Sequence, residues 1–309
     1  MEFWYFASSF LINWLLLKLC LPYTPKFLLD IPNVRSSHIN PKPKVGGLFF
    51  VITAVIFAIF QKYQLILYCL PIAIVGFFDD IYSLPKTFRY GAQLFTASLI
   101  LFNSSNLRNF LTKNDLLNSS ILILFLLILI TAVINFTNFM DGLDGILAAN
   151  LSISFLIAAF IFNGSLYPIV GSLLAFLVWN WSPSKVFMGD MGSTFLGAVY
   201  IASVIEAPSI QKSLSLLFIS TPIFADALLC VIRRYFAGHK IFDSHKLHLY
   251  QRLYQGGLSH SKVTILYLFS TIFLSIVYIL LGFVPLLISS TLVILFGVWL
   301  DKNVAKVFH

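Results

Sequence analysis

Two carboxylates and two glycines interrupt one of the longest apolar passages of the chain, in the stretch NFMDGLDG at residues 138–145. Asp141 and Asp144 are three residues apart, so they would share one face of a helix that begins there. The glycines would let a ligand or another backbone approach closely. Acids near a helix start are also ordinary caps. This stretch alone therefore predicts either a helix cap or part of a cation site.

Asp79 and Asp80 form a second acidic pair, in GFFDDIYSLPK at the end of another apolar run. The carboxyl end of a helix already carries partial negative charge, so two acids there need compensation. A metal ion, or a cation bound to phosphate, would supply it. An acid pair that faces headgroup water is the alternative. Lys86 and Arg89 follow closely and are candidate phosphate contacts.

Asp190 lies in VFMGDMGSTFLG, where another apolar helix is expected to start. The Gly-Asp-Met-Gly-Ser segment would present backbone N–H groups and a carboxylate together, which suits a phosphate with its cation. Asn180 and Phe187 precede it: an amide can contact the edge of a base, and an aromatic ring can stack on one. Each residue alone also has an ordinary structural explanation.

Bases and histidines are concentrated in residues 233–252, RRYFAGHKIFDSHKLHLYQR. His245 and His248 fit one helical face, and histidine with lysine or arginine suits oxyanion and phosphate contacts. Because no cysteine is near in the sequence, a closed zinc site is not expected there. A basic juxtamembrane loop is the alternative. Lys44, in the proline-rich and glycine-rich stretch before the second apolar run, is a further candidate substrate contact.

Membrane helices must position these residues. The chain has 309 residues, of which 59% are hydrophobic and 10% charged, and a mean hydropathy of +0.91, far from the composition of a soluble domain. We expect an all-α, polytopic membrane protein that forms a single domain over residues 1–309. Apolar stretches long enough to cross a bilayer predict about eleven spans, with ten as the alternative. They are residues 3–22, 45–61, 65–78, 89–105, 120–138, 145–162, 166–180, 193–209, 213–232, 263–281 and 284–300.

The basic residues orient these spans. Most of the 20 lysines and arginines fall in one set of alternating loops. By the positive-inside rule this set is cytoplasmic. The acidic motifs fall on the same face, and this mixture suits an anionic substrate bound through a divalent cation. A solvated face that contacts anionic lipids is the alternative.

Taken together, from about residue 30 to residue 252, these stretches resemble the polyprenyl-phosphate N-acetylhexosamine-1-phosphate transferases, glycosyltransferase family 4. The resemblance implies a cytoplasm-facing site that transfers a sugar 1-phosphate from a UDP-N-acetylhexosamine to undecaprenyl phosphate and releases UMP. It also implies Mg²⁺ or Mn²⁺ as cofactor and the bacterial inner membrane as location. We expect no nucleic-acid partner, and a homodimer is one option for the assembly.

The resemblance also assigns residues. The family's adjacent acid pair corresponds to Asp79 and Asp80, one of which is expected beside the lipid phosphate. Its metal-ligand aspartate corresponds to Asp190, assisted by Asp141, and its phosphate-binding histidine loop adds His245 to the catalytic set. The remaining candidate substrate contacts are Lys44, Arg89, Asn138, Asp144, Asn180, Phe187 and His248.

The histidine loop favours one branch of the family. The branch that acts on muramyl pentapeptide carries consecutive histidines, whereas residues 245–248 read HKLH. That pattern is closer to the branch that begins O-antigen, and hence lipopolysaccharide, or other surface glycans. Phospho-N-acetylmuramoyl-pentapeptide transferase stays an alternative. An ion-coupled transporter is an alternative of another class, and it predicts acids near the bilayer midplane, where only Asp226 and Glu206 fall within predicted spans.

Overall fold

The computed structural model describes residues 2–32, 40–113, 115–240 and 245–308, and most of them are helical. The described ranges contain fifteen α-helices. They are α1 (Glu2–Cys20), α2 (Gly46–Gln61), α3 (Leu65–Tyr68), α4 (Leu70–Tyr82), α5 (Lys86–Asn103), α6 (Ser105–Leu111), α7 (Leu116–Phe139), α8 (Ile146–Ile161), α9 (Tyr167–Asn180), α10 (Gly189–Ile205), α11 (Ile210–Ile219), α12 (Thr221–Phe236), α13 (Leu249–Gln255), α14 (His260–Leu281) and α15 (Phe283–Asn303).

The helices are those of a multi-pass membrane protein, as predicted. Within the described ranges, α1 with its short extension, α7, α14 and α15 are each long and apolar enough to cross a bilayer. Shorter apolar helices, α2, α8, α9 and α10, pack among them. A helix satisfies its own backbone N–H and C=O groups, which hydrocarbon cannot do. Every predicted span coincides with at least one helix.

Two of the predicted spans are broken. Residues 65–78 were expected to be continuous but form α3 and α4, with a proline in the first turn of α4. Residues 213–232 were also expected to form one span. They lie in α11 and α12, which meet at Ser220 at an angle of 77°, so this apolar run is bent. Tyr200 donates its hydroxyl to the carbonyl of Leu216, at 2.6 Å, beside the bend. This bond supports the backbone at the bend.

The buried centre of the bundle is α10, which packs against α2, α4 and α7. Every residue from Met191 to Val204 is buried. Glycines permit this packing: a Cβ at Gly76 of α4 would lie 2.7 Å from the Cα of Met191. Small residues allow such close approach between membrane helices. The first turn of α10, which carries Asp190, is consequently held by its neighbours.

A short antiparallel ribbon, β1 (Leu29–Asp30) with β2 (Lys42–Pro43), precedes α2 and was not predicted. The N–H groups of Gly46 and Gly47 donate to the carbonyls of Phe187 and Met188, at 2.9 and 3.0 Å. These bonds join the loop before α2 to the loop before α10. The ribbon therefore forms one wall of the space above the first turn of α10.

Candidate active site

A polar cavity of about 490 Å³ lies where the ends of these helices and their loops meet. Ten of the twelve predicted site residues line it: Lys44, Asp79, Asp80, Arg89, Asn138, Asp141, Asp144, Asn180, Phe187 and Asp190. The other two, His245 and His248, do not. Gln251 of α13 and His260 of α14 also line the cavity, and neither was predicted from the sequence.

Asp80 holds the start of α10. Its two carboxylate oxygens accept the backbone N–H groups of Asp190 and Met191, at 3.0 and 3.1 Å. The positive end of α10 therefore compensates this acid, where the sequence suggested a cation. Gly189 makes room with φ +71°, because a Cβ there would lie 2.5 Å from Oδ2 of Asp80. Asp80 thus holds the backbone at Asp190, and its assignment to the catalytic set stays a prediction.

Asp79 is buried and both of its oxygens are engaged. Oδ1 accepts the N–H of Leu84 at 2.6 Å, and Oδ2 accepts Nη1 of Arg89 at 3.1 Å. The same nitrogen lies 4.0 Å from Oδ2 of Asp190. A guanidinium has five N–H donors, so Arg89 has further donors for an anion while it stays paired with Asp79.

Asp141 has a different environment. Among the residues that the structure describes, none donates a hydrogen bond to its carboxylate. Burial raises the pKa of Asp141 well above its usual value, and the charges of Asp190 and Asp80 raise it further. Carboxylates that lie close together and repel one another favour a bound cation. Asp141 and Asp190 are therefore the residues of the cavity that best suit a metal ion.

The donors fit Mg²⁺ or Mn²⁺, which prefer carboxylate oxygens. In the described ranges, no three acids each bring an oxygen within 4.8 Å of the others. The two carboxylates of Asp141 and Asp190 would suit Mg²⁺, which usually takes one or two carboxylates and completes its coordination with water and substrate phosphates.

Asp144 is engaged within the protein. Its oxygens accept the hydroxyl and the N–H of Ser184, at 2.7 and 3.1 Å. Nδ1 of His260 lies 3.4 Å from Oδ2, and Nζ of Lys42 lies 3.6 Å from Oδ1. Burial opposes ionisation, but the hydrogen bonds from His260 and Ser184 hold the pKa of Asp144 below its usual value. It joins three loops, and its contact with a substrate stays a prediction.

The two asparagines also hold loops together. Asn180 donates from Nδ2 to the carbonyl of Val186 at 2.8 Å, and its Oδ1 accepts the N–H of Gly145 at 3.0 Å. Oδ1 of Asn138 accepts the hydroxyl of Ser193 at 2.8 Å. A base that contacts Asn180 would have to use its remaining N–H or lone pair, so this role stays a prediction.

Lys44 and Phe187 line the wall formed by the ribbon and the loop before α10. Nζ of Lys44 lies 3.2 Å from Oδ1 of Asp30. Burial lowers the pKa of Lys44, but the charge and hydrogen bond of Asp30, together with the charges of Asp80 and Asp190, outweigh this. The pKa is raised, so the amine is charged at pH 7. Nζ of Lys42 lies 5.0 Å from the ring centre of Phe187. The wall therefore combines a cation for phosphate with an aromatic ring.

The histidine loop lies beside the cavity. His248 is 2% exposed, and its ring stacks on those of His245 and Tyr250, at 4.9 and 5.7 Å between centres. Burial and then the neighbouring positive charges lower the pKa of His245 to about 3, so this ring is neutral at pH 7. Gln251 is the residue after these histidines that reaches the cavity. The roles assigned to His245 and His248 stay predictions.

The two acids within predicted spans both have structural partners. Asp226 accepts the N–H groups of Leu249 and Tyr250 at the start of α13, at 2.7 and 3.0 Å. Glu206 accepts the N–H and the hydroxyl of Ser105 at the start of α6, at 3.1 and 2.9 Å. Acids that bind helix starts are already compensated, so neither residue favours an ion pathway through the bilayer.

Comparison with known proteins identifies the family of this chain. Residues 62–207, which include the acid pair and Asp190, match the model of glycosyl transferase family 4. A probable undecaprenyl-phosphate N-acetylglucosaminyl 1-phosphate transferase of Bacillus subtilis is 32% identical, over 79% of this chain and 75% of its own length. The chain belongs to glycosyl transferase family 4. This confirms the family predicted from the motifs.

Other members of glycosyl transferase family 4 resemble the chain as well. The decaprenyl-phosphate N-acetylglucosaminephosphotransferase of Mycobacterium leprae is 30% identical, over 76% of this chain and 72% of its own length. The phospho-N-acetylmuramoyl-pentapeptide-transferase of Fervidobacterium nodosum is 34% identical, over 62% of this chain and 66% of its own length. Similarity to these relatives therefore does not choose a branch.

In this member of glycosyl transferase family 4, Gly76→Ala should lower transferase activity about 100-fold, since displacement of a catalytic group by about 1 Å can cost that much. The added Cβ would lie 2.8 Å from the backbone of Asp190, so α4 and α10 must separate. Gly91→Ala is the matched control, because no atom lies within 4 Å of a Cβ there. Initial rates of both purified variants check this, and equal activity would contradict it.

Proposed function

We propose that this membrane transferase moves an N-acetylhexosamine 1-phosphate from a UDP-sugar to a polyprenyl phosphate and releases UMP. Three relatives carry names that specify transfer to, or phosphotransfer with, an undecaprenyl or decaprenyl phosphate. The proposal depends most on the environment of Asp141. No described residue donates a hydrogen bond to its carboxylate, and it lies near Asp190 in a cavity that Arg89 and Lys44 also line. Such a cavity suits a diphosphate bound through a cation.

The reaction brings two anionic phosphates together, so charge must be neutralised. Asp190 and Asp141 would hold Mg²⁺ or Mn²⁺, which when bound neutralises the diphosphate and polarises its phosphorus–oxygen bonds. Lys44, charged at pH 7, would contact the donor from the ribbon wall. Phe187 on the same wall offers its ring to the uracil. Asp80 keeps Asp190 in place through the N-terminus of α10.

Arg89 and Asp79 would serve the acceptor. Arg89 binds the lipid phosphate with the N–H groups that Asp79 does not use, and Asp79 fixes the guanidinium. An oxygen of the lipid phosphate attacks the sugar-linked phosphorus, and the bond from that phosphorus to the bridging oxygen breaks. UMP leaves with this oxygen. The attacking phosphate is already ionised at pH 7, so the residues need only position it.

We place the reaction at the cytoplasmic face of the bacterial inner membrane, because the loops that bear the cavity are the basic ones. We assign it to the branch that begins O-antigen or other surface glycans, from the HKLH pattern of the histidine loop. The second candidate is the muramyl-pentapeptide reaction, which the name of the Fervidobacterium nodosum relative specifies for that protein.

Release of UMP tests the proposal directly. The detergent-purified protein would be incubated with undecaprenyl phosphate and, separately, with UDP-N-acetylglucosamine, UDP-N-acetylgalactosamine or UDP-N-acetylmuramoyl-pentapeptide. We expect release with an N-acetylhexosamine donor, dependent on the lipid and on Mg²⁺ or Mn²⁺. Release only with the pentapeptide donor would favour the second candidate. No release with any donor from folded protein would contradict the proposed chemistry.

A further inference from the structure

A cysteine and two histidines meet outside the acidic cavity. Cys230 of α12, His245 and His248 each bring one potential ligand atom within 4.8 Å of the others. Zinc was not expected from the sequence because no cysteine is close to these histidines in the chain. The fold nevertheless brings Cys230 of α12 close to the two histidines.

Two of the three residues of the cluster are buried, and the cluster includes an unpartnered polar atom. Cys230 is 4% exposed and His248 is 2% exposed. In the described part of the chain, Nδ1 of His248 has no hydrogen-bond partner, although Oδ1 of Asp226 lies 3.7 Å away. Metal ligation through Nε2 would fix the proton on Nδ1, facing Asp226, in the way that carboxylates orient ligating histidines.

The donor atoms select the class of cation. One thiolate and two imidazoles suit Zn²⁺, whereas Mg²⁺ prefers oxygen. Zinc bonds of about 2.0 Å to nitrogen and 2.3 Å to sulfur place tetrahedral ligands about 3.5 Å apart, so shifts of about 1 Å would close the site.

We propose that Cys230, His245 and His248 bind a zinc-class divalent cation, with a fourth position open to water. Binding would release the thiol proton to solvent and involves no redox change. The cation would join α12 to the loop that leads into α13, which carries Gln251 to the acidic cavity. The site is separate from the acidic carboxylates and does not depend on the reaction proposed above.

Titration of the full chain in detergent with Co²⁺ tests the site. Tetrahedral Co²⁺ with a thiolate ligand gives a sulfur-to-metal charge-transfer band in the near ultraviolet and strong visible bands. We expect these bands to saturate at one equivalent and to be lost in Cys230→Ser. His245→Gln should weaken binding at least about 10-fold, since loss of an outer-shell partner alone costs about 10- to 100-fold.

Cys69→Ser is the matched control, because Cys69 is also buried and free but its Sγ contacts the carbonyl of Leu65. It should keep the bands. Bands that persist in Cys230→Ser would overturn the proposal. A weak spectrum without charge transfer in the unmodified protein, as octahedral Co²⁺ on the acidic carboxylates would give, would overturn it too. Gel filtration of each variant verifies that it is folded.

Discussion

Asp190→Asn should lower kcat/KM for transfer at least about 1000-fold, which corresponds to about 4 kcal/mol of transition-state stabilisation. The amide keeps the size of the carboxylate but loses the charge that would hold the cation beside Asp141. The thermal stability, in contrast to the activity, should not fall. Asp190 lies near Asp79, Asp80 and Asp141, so removal of its charge relieves repulsion. We therefore expect an inactive protein whose thermal midpoint is unchanged or raised.

Asp115→Asn is the control for this variant. Asp115 caps α7, where its Oδ1 accepts the N–H of Asn118 at 3.0 Å, and asparagine caps helices equally well. The control should keep its activity and its stability. UMP release and a thermal scan in the same detergent measure both quantities. An Asp190→Asn protein that is active, or one that is inactive because it has unfolded, would argue against the metal role.

Asp226→Ala should strongly destabilise the fold. Asp226 accepts the N–H groups of Leu249 and Tyr250 and the hydroxyl of Tyr267, at 2.7 to 3.0 Å. Each buried donor left without a partner costs about 1–3 kcal/mol, so the loss of three acceptor contacts should exceed about 3 kcal/mol. We expect a much lower thermal midpoint and loss of activity, because α13 also carries Gln251.

Asp115→Ala provides the comparison for this prediction. It removes a helix cap that is exposed, so its cost should be about 1 kcal/mol. Thermal unfolding in detergent, followed by tryptophan fluorescence, measures the two variants side by side. Similar midpoints for Asp226→Ala and Asp115→Ala would contradict the assignment of Asp226 as the residue that anchors α13.

Much of the cavity could be predicted from the sequence, because its acids stand out against an apolar chain. Ten of the predicted residues do line it. Their individual partners could not be predicted: Asp80 accepts N–H groups 110 and 111 residues further along the chain. Local spacing shows which residues share a helix face, but not which other helix start faces them. The pairing of the Asp80 carboxylate with the start of α10 could therefore not be predicted from the sequence.

The histidine loop shows the opposite case. Charge and spacing predicted that His245 and His248 belong to the site, whereas Gln251 and His260 are the residues that line the cavity. The direction in which a loop turns depends on its anchor, and this anchor is Asp226, an acid inside an apolar run. The bend at residue 220 was missed for a related reason, since a long apolar run with a single proline is equally typical of a straight span.

The partners of Asp144 are synthesised at different times during translation. Lys42 is synthesised before Asp144, Ser184 follows it by 40 residues and His260 by 116. While the chain is still emerging from the ribosome, Asp144 therefore lacks its later partners. The mouth of the cavity cannot be complete until α14 has been inserted. A chain arrested after α10 would lack His260 and Gln251, so one edge of the cavity would stay open. Such a chain should be a substrate for membrane quality control rather than a partly active enzyme.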